Sequence, residues 1–331
     1  MNNENIIETD ENEIEEELQM DCEGAQQEAR LPKGFKVGHA DNGITGVSVV
    51  ICEKGAVCGC DVRGGAPGTR ETDLLKSEKA METVQAVVLS GGSAYGLESA
   101  CGVMEYLRDK GIGYKTTDKI VPIVPSAVIY DLNGKDYVYP DKKMGIEACK
   151  NASDDQVSCG KIGAGTGATV GKIRGFKHSA PSGIGIATVK ALGVTVTALM
   201  VVNAMGDVYD STGKILAGAR DKKGGFLNVK ETVLKGNLMR LLMGTNTTIG
   251  CVMTDAKLTK VQANKLATIA QNGLAKSINP VHTDYDGDTI FCMAAGKKKV
   301  LNLALLQVAV TEAVSKAIEN AVVSAKKGHN A

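Results

Sequence analysis

Gly244-Thr245-Asn246-Thr247-Thr248-Ile249 marks the point where a weakly patterned stretch, residues 211–243, gives way to a β-branched run, residues 247–254. An irregular stretch of that length is unusual inside a compact domain, which predicts a functional or linking role for it. Adjacent hydroxyl side chains at the start of a strand suggest a specific chemistry. The Thr247 hydroxyl stands beside the Asn246 carbonyl, so its attack there would convert the amide to an ester, and water would complete the cut. The new chain would begin at Thr247, with an α-amine of pKa about 7.7 to 8.0 able to act as base for its own hydroxyl. Local sequence leaves a plain surface turn open too, because Asn-Thr pairs are ordinary turn chemistry.

Working outward, β-type and helical runs alternate. Residues 44–52 and 56–62 predict two strands of a hairpin around Glu53-Lys54-Gly55. Residues 84–89 form a continuous apolar run of buried-strand type, followed by Ser90-Gly91-Gly92-Ser93 and a helix whose apolar face uses Leu97, Cys101, Met104 and Leu107. Pro122 and Pro125 place the strand-like residues 119–130 at an edge or a bend. A helix over 144–150 precedes two long β runs, 184–192 and 194–203, joined at Gly193. After the junction come a helix over 258–278 with Leu258, Val261, Leu266, Ile269 and Leu274 apolar, a strand over 289–295, and a helix over 300–326. The alternation predicts an α/β protein of stacked layers.

Composition narrows the class. The 331 residues are 43% hydrophobic with 39 glycines, enough apolar surface for one large domain or two small ones and too much glycine for long uninterrupted helices. Lysine plus arginine balance aspartate plus glutamate at 38 each, and aromatic residues make up 4%, which argues against a nucleic-acid partner. The balance hides an asymmetry: residues 1–30 carry eleven acidic side chains and one basic one, Arg30. Residues 1–33 therefore predict a solvated, disordered acidic extension, and leave 34–331 as the folded part. No secretory leader opens the sequence and no run of 18 uncharged apolar residues occurs in it, so a cytoplasmic protein without a membrane partner is expected. The nine cysteines lack C-x-x-C spacing and predict small buried thiols rather than a zinc site or a disulfide framework.

Three glycine-rich or acidic motifs fail their usual tests. In Gly163–Lys172 five residues separate Gly165 from Gly171 and Ile173 follows the lysine, which breaks the phosphate-loop pattern. Gly91-Gly92-Ser93-Ala94-Tyr95 has tyrosine where a nucleophile elbow needs glycine. Asp284, Asp286 and Asp288 lack the glycine and distal glutamate of a calcium loop, and no H-E-x-x-H occurs, so neither metal nor cofactor is expected. The four histidines are His39, His178, His282 and His329; His282 is the one a serine triad would use, though a lone histidine near a strand is more often an ordinary packed residue.

Taken together, Asn246-Thr247-Thr248, His282-Thr283-Asp284-Tyr285-Asp286-Gly287-Asp288-Thr289, Ser90–Leu97 and Gly163–Thr169 resemble the DmpA-type aminopeptidases. That family includes L-aminopeptidase/D-esterases, β-peptidyl aminopeptidases and 6-aminohexanoate-oligomer hydrolases. The resemblance runs from about Gly34 to Ala325 and leaves the acidic extension outside it. It implies a four-layered α/β/β/α sandwich shared with ornithine acetyltransferases, self-cleaved into a large subunit ending at Asn246 and a small subunit, residues 247–331. By the same resemblance Thr247 is the nucleophile, and Asp286 and Asp288 hold its amino group. Lys172 and Asn203 stabilise negative charge, and Tyr130 is an oxyanion donor. Ser93 and Tyr95 shape the substrate pocket, and Gly163–Gly167 is a tight turn beside the site.

The expected activity is hydrolysis of amide bonds in short peptides, amino-acid amides or aminohexanoate-type oligomers, by a homo-oligomer of processed heterodimers. Two other readings remain open from sequence. One is acyl transfer of the ornithine acetyltransferase kind, whose alanine-threonine junction followed by Met-Leu-Ala is absent around Thr247. The other is an uncut, non-catalytic assembly protein.

Overall fold

Fully buried strands read as near-continuous apolar runs, and the strand that begins at Thr247 is buried at every position to Ala256. The computed structural model describes residues 30–132, 136–155, 157–191, 193–236, 245–300 and 302–327. Its main strands are β1 (Lys36–Asp41), β2 (Gly46–Val62), β3 (Thr83–Ser90), β4 (Ser126–Val128), β5 (Ile184–Ala191), β6 (Val194–Asn203), β7 (Thr247–Ala256) and β8 (Thr289–Lys298). They are hydrogen-bonded in the order β5-β6-β7-β8-β2-β3-β4, closed by the two-residue strand Thr69–Arg70, with β1 beside β2. The pairs β7–β8 and β3–β4 are parallel and the rest antiparallel.

Side chains alternating across these strands divide the protein into four layers. Helices α1 (Ser99–Asp109) and α2 (Lys142–Lys150) cover Val47, Val49, Ile51, Ala86 and Val88. The opposite faces of β2 and β3, through Val50, Cys58, Val87 and Leu89, pack against Leu199, Val201, Ile249, Met253 and Phe291 of β6, β7 and β8. On the far side Val196, Met200, Val252, Ile290 and Cys292 meet helices α4 (Lys260–Ser277) and α5 (Leu303–Lys327). The result is the expected α/β/β/α sandwich. Helix starts follow the sequence: Asp141 accepts the Met144 amide at 2.9 Å, and Thr259 with Gln262 forms a capping box at the start of α4.

The expected hairpin at Glu53-Lys54-Gly55 is instead part of one 17-residue strand, β2. Gly55 does adopt a left-handed conformation, φ +79°, but the turn residues are absorbed as an irregularity in the pairing with β3 between Ile51 and Ala56. Residues 46–51 of β2 pair with β1, and residues 57–62 pair with β8 on the other half of the sandwich. The irregularity is therefore where one strand passes from one sheet layer to the other.

Residues 211–236 are more ordered than the pattern of 211–243 predicts. Asp207–Tyr209 pairs with Ile215–Ala217 and with Ile278–Asn279, and helix α3 (Val229–Leu234) follows, capped by Asn228. Asp207 is fully buried and its carboxylate accepts the Ala219 amide at 3.0 Å and the Val229 amide at 2.6 Å. One buried acid thus organises a segment with little apolar patterning of its own. Residues 237–243 lie outside the described residues, as does the acidic extension before Arg30, whose carbonyl accepts the hydroxyls of Thr188 and Thr197.

The helix faces also shift. Val261 is 63% exposed, and α4 buries Ala263, Leu266, Ala267, Ala270 and Leu274 instead. In α1, Cys101 and Met104 are half-buried beneath the Arg70 guanidinium, while Val103 and Leu107 reach the core. Five of the eight described cysteines are buried. Among the described residues no helix is long and apolar enough to cross a membrane.

Phe291 is fully buried in the inter-sheet layer. Phe291→Ala is expected to lower the unfolding free energy by about 3–5 kcal/mol, and Val261→Ala to change it by no more than about 0.5 kcal/mol, as measured by urea titration.

Candidate active site

Asn203 ends β6 and Thr247 begins β7, directly opposite each other in the antiparallel register. Both are buried, Asn203 completely and Thr247 at 3% exposure. The Asn203 side chain joins three segments: its amide nitrogen donates to the carbonyls of Tyr130 at 3.0 Å and Thr245 at 3.4 Å, and its Oδ1 accepts the Thr169 amide at 3.1 Å. Oδ1 also accepts from Lys172 Nζ at 2.7 Å. The lysine spends its remaining donors on the Asn203 carbonyl at 2.8 Å and the Thr245 carbonyl at 2.9 Å. Burial lowers the Lys172 ammonium to about 7, although Asp286 and Asp131 pull it upward.

The parallel pairing of β7 with β8 brings the loop before Thr289 alongside the start of β7. There the backbone bridges Asn246 to Asp286, and the Gly287 amide donates to the Asn246 carbonyl at 2.9 Å. The Thr247 hydroxyl donates to that same carbonyl oxygen. Glycine is required at 287, because a β-carbon would stand 2.8 Å from Thr247 Oγ1 and 2.8 Å from the Ala66 carbonyl. The backbone of 63–66 supports the loop from behind, Ala66 donating to the Asp286 carbonyl and Arg63 to the Asp288 carbonyl.

The two carboxylates have different partners. Asp286 accepts the Thr283 amide at 3.0 Å and the Thr283 hydroxyl at 2.6 Å. Burial, and then the nearby Asp288, push its carboxyl up to about 6. Asp288 accepts the Thr248 amide at 2.6 Å through Oδ1, and the His282 amide at 3.1 Å and His282 Nδ1 at 2.9 Å through Oδ2. The acidic pair therefore grips the strand start through Thr248 and the loop through Thr283.

Lys172, Asn203, Asn246, Thr247, Asp286 and Asp288 thus form one connected site. Tyr130 joins it through its carbonyl rather than the expected hydroxyl, and its ring stacks on Phe176 at 6.3 Å. Phe176 in turn lies 5.7 Å from Lys172 Nζ. Ser93 and Tyr95 sit one step further out. The Ser93 amide donates to Ile129 at 2.9 Å, and Tyr95 is 53% exposed in a cluster with Tyr137 and Tyr139. Their turn is tied toward the site by Asp131, a buried acid that accepts the Gly92 amide at 2.6 Å. The Gly163–Gly165 turn is pinned to Asp41 and Ser48 at 3.0 Å each.

Sequence reasoning missed Asp131, Phe176 and Thr283, and left His282 as an ordinary packed residue. The signals were slight: Asp131 follows Tyr130, and His282 stands six residues before its partner Asp288.

In this α/β/β/α sandwich the Thr247 hydroxyl and the Gly287 amide meet the Asn246 carbonyl, Lys172 holds the neighbouring Thr245 carbonyl and Asp288 the Thr248 amide, a grouping that suits hydrolysis of amide bonds. The chain belongs to peptidase family S58, whose model matches residues 33–330. It is 39% identical over 287 residues to an uncharacterized aminopeptidase of Mycobacterium leprae, covering 80% of this chain and 75% of that one. A 6-aminohexanoate-oligomer endohydrolase of Kocuria sp. (strain KY2) is 32% identical over 268 residues, covering 78% and 72%. Among solved structures, the L-aminopeptidase D-Ala-esterase/amidase from Ochrobactrum anthropi, described as a variant of the Ntn hydrolase fold, superposes with a TM-score of 0.66. The match covers 89% of this chain and 85% of that one at 18% identity, a likeness of fold.

The shifted groups make stability depend on pH. Asp286 holds its proton more tightly folded than unfolded, so its contribution is full at low pH and lost as pH rises from 3.8 to about 6. Lys172 binds its proton less tightly folded than unfolded, so the penalty of burying it is full below about 7 and relieved as pH rises toward 10.5. Lys172→Met is expected to flatten the rise in unfolding free energy between pH 7 and 10.5, measured by urea titration across that window.

Proposed function

We propose that this chain is a precursor that cuts itself between Asn246 and Thr247 and then hydrolyses amide bonds with the Thr247 hydroxyl. One observation carries the reading. The Asn246 carbonyl oxygen takes the Gly287 amide at 2.9 Å while the hydroxyl of the next residue stands on the same oxygen. A carbonyl already held by a backbone N–H has a ready stabiliser for the negative charge that develops when its carbon is attacked.

The cut then follows in balanced steps. Thr247 Oγ1 bonds to the Asn246 carbonyl carbon, the bond from that carbon to the Thr247 nitrogen breaks, and the hydroxyl proton ends on the departing nitrogen. Water cleaves the resulting ester, giving the Asn246 carboxylate and a Thr247 that carries both a free amine and its hydroxyl. The new amine, with a pKa of about 7.7 to 8.0, takes the hydroxyl proton as Oγ1 attacks a substrate carbonyl, and passes it to the leaving amine. The same amine deprotonates the water that releases the acyl group.

Asp286 and Asp288 hold the new terminus from the loop whose Gly287 amide meets the Asn246 carbonyl. In the uncut chain Lys172 Nζ and Asn203 Nδ2 both donate to the Thr245 carbonyl. Once that segment moves away, these two donors face the substrate oxyanion. Tyr130 acts through its carbonyl, which orients the Asn203 amide. The buried Lys172 suits this role, since a cation in a water-excluded site acts strongly on charge developing nearby.

The substrate class is short amides: peptides, amino-acid amides or aminohexanoate-type oligomers. It is supported by the relatives named as an aminopeptidase and as a 6-aminohexanoate-oligomer endohydrolase. Ser93 and the exposed Tyr95 form the outer wall of the pocket, and the working form is a homo-oligomer of processed pairs.

Purified protein is assayed for amine release from amino-acid p-nitroanilides and the linear 6-aminohexanoate dimer. Thr247→Ala is expected to lower kcat/KM by at least about a thousand-fold, and Thr247→Ser to retain measurable turnover. Acyl transfer from N-acetylornithine to glutamate without amide hydrolysis would instead make the protein a transferase.

A further inference from the structure

His282 has a backbone φ of +59°, a left-handed conformation that is uncommon for a residue with a β-carbon and costs on the order of 1 kcal/mol or more. What the conformation achieves is visible in its contacts. It folds the His282 backbone amide and ring Nδ1 onto one oxygen, Asp288 Oδ2, at 3.1 and 2.9 Å. The other oxygen, Oδ1, accepts the Thr248 amide at 2.6 Å. Because a carboxylate accepts and Nδ1 must then donate, the ring's remaining nitrogen is Nε2, which is enclosed and has no hydrogen-bond partner among the described residues. Of these three donors to Asp288, His282 Nδ1 is the one that belongs to a side chain.

The geometry points to His282 as a positioning residue: it fixes the plane of Asp288, and Asp288 clamps the start of β7 through Thr248 so that the nucleophile stays in place once its own peptide bond is cut. The inference rests on the proposed role of Thr247. In the intact chain Thr247 is held from both sides by the backbone. After the cut the strand begins at Thr247, and chain ends loosen unless something ties them. The Asp288–Thr248 contact lies one peptide unit inside that new end. A carboxylate free to rotate would hold Thr248 less firmly, and small losses of position at a nucleophile lower turnover more than substrate binding.

Two substitutions separate this role from a merely structural one, since both glycine and asparagine tolerate φ near +59°. His282→Gly removes the ring donor, and His282→Asn places an amide N–H near the position of Nδ1. In the processed enzyme His282→Gly is expected to lower kcat about ten-fold or more while KM stays within about two-fold, and His282→Asn to return kcat to within about three-fold of wild type. A kcat for His282→Gly within two-fold of wild type, or an His282→Asn as slow as the glycine variant, overturns the inference. If His282→Gly does not fold, amide exchange at Thr248 in the wild type decides, read by NMR with nitrogen-labelled threonine. Slow exchange in the processed enzyme supports the clamp, and exchange at the rate of an open amide overturns it. Wild type that is neither cut nor active defeats the reading of Thr247 itself, whereas wild type that is cut and active beside an equally active His282→Gly defeats this inference alone.

Discussion

The hydrogen bond from the Gly287 amide to the Asn246 carbonyl joins the two halves of the site. On one side of it lies the start of β7 with Thr247, and on the other the loop that carries Asp286 and Asp288. Removing the glycine's freedom would separate them, because any β-carbon at 287 would press on the Thr247 hydroxyl and the Ala66 carbonyl. The contact is made possible by the parallel pairing of β7 with β8, which sets the ends of two buried strands at the same height. The proposed chemistry at this point needs strands rigid enough to hold a nucleophile and an oxyanion donor within reach of one atom.

The surrounding layers supply that rigidity. Every residue of β7 is buried, with Ile249 and Met253 facing the inter-sheet layer and Val252 facing the helices. The charged and amide groups at the centre of the site are paired. Lys172 is enclosed by three oxygens, Asn203 links the carbonyls of Tyr130 and Thr245, and Asp288 receives three N–H groups. Such a network costs much if any member is left unmatched, which ties the geometry of the site to the fold as a whole.

Much of this was legible in the sequence where local chemistry and tertiary role coincide. Residues 194–203 and 247–254 announced strands, and the adjacency of Asn246 and Thr247 announced a hydroxyl beside the preceding carbonyl without knowledge of the fold. The alternation of strands and helices pointed to stacked α and β layers, and their α/β/β/α order came from the family resemblance. Legibility failed where one residue serves two geometries. Gly55 suits a hairpin turn or an irregularity within a strand, and only the pairing of β2 with both β1 and β8 decides between them. Val261 fits a helical stripe, yet α4 packs through its alanines and leaves Val261 outside. His282 and Asp131 were illegible for another reason: their significance lies in which oxygen or amide they meet, and residue spacing carries no information about that. The buried Asp207 is similar, since it orders the segment after it through amides of residues 219 and 229.

The substrate hydrolysis assigned to Thr247 requires a free amine on that residue. Intact-mass spectrometry of freshly purified wild-type protein, combined with N-terminal sequencing, tests this directly. The account predicts two chains in equal amounts, the smaller beginning Thr247-Thr248-Ile249, with masses that sum to the 34.6 kDa precursor plus one water. A single uncut chain in a preparation that hydrolyses amides would contradict it.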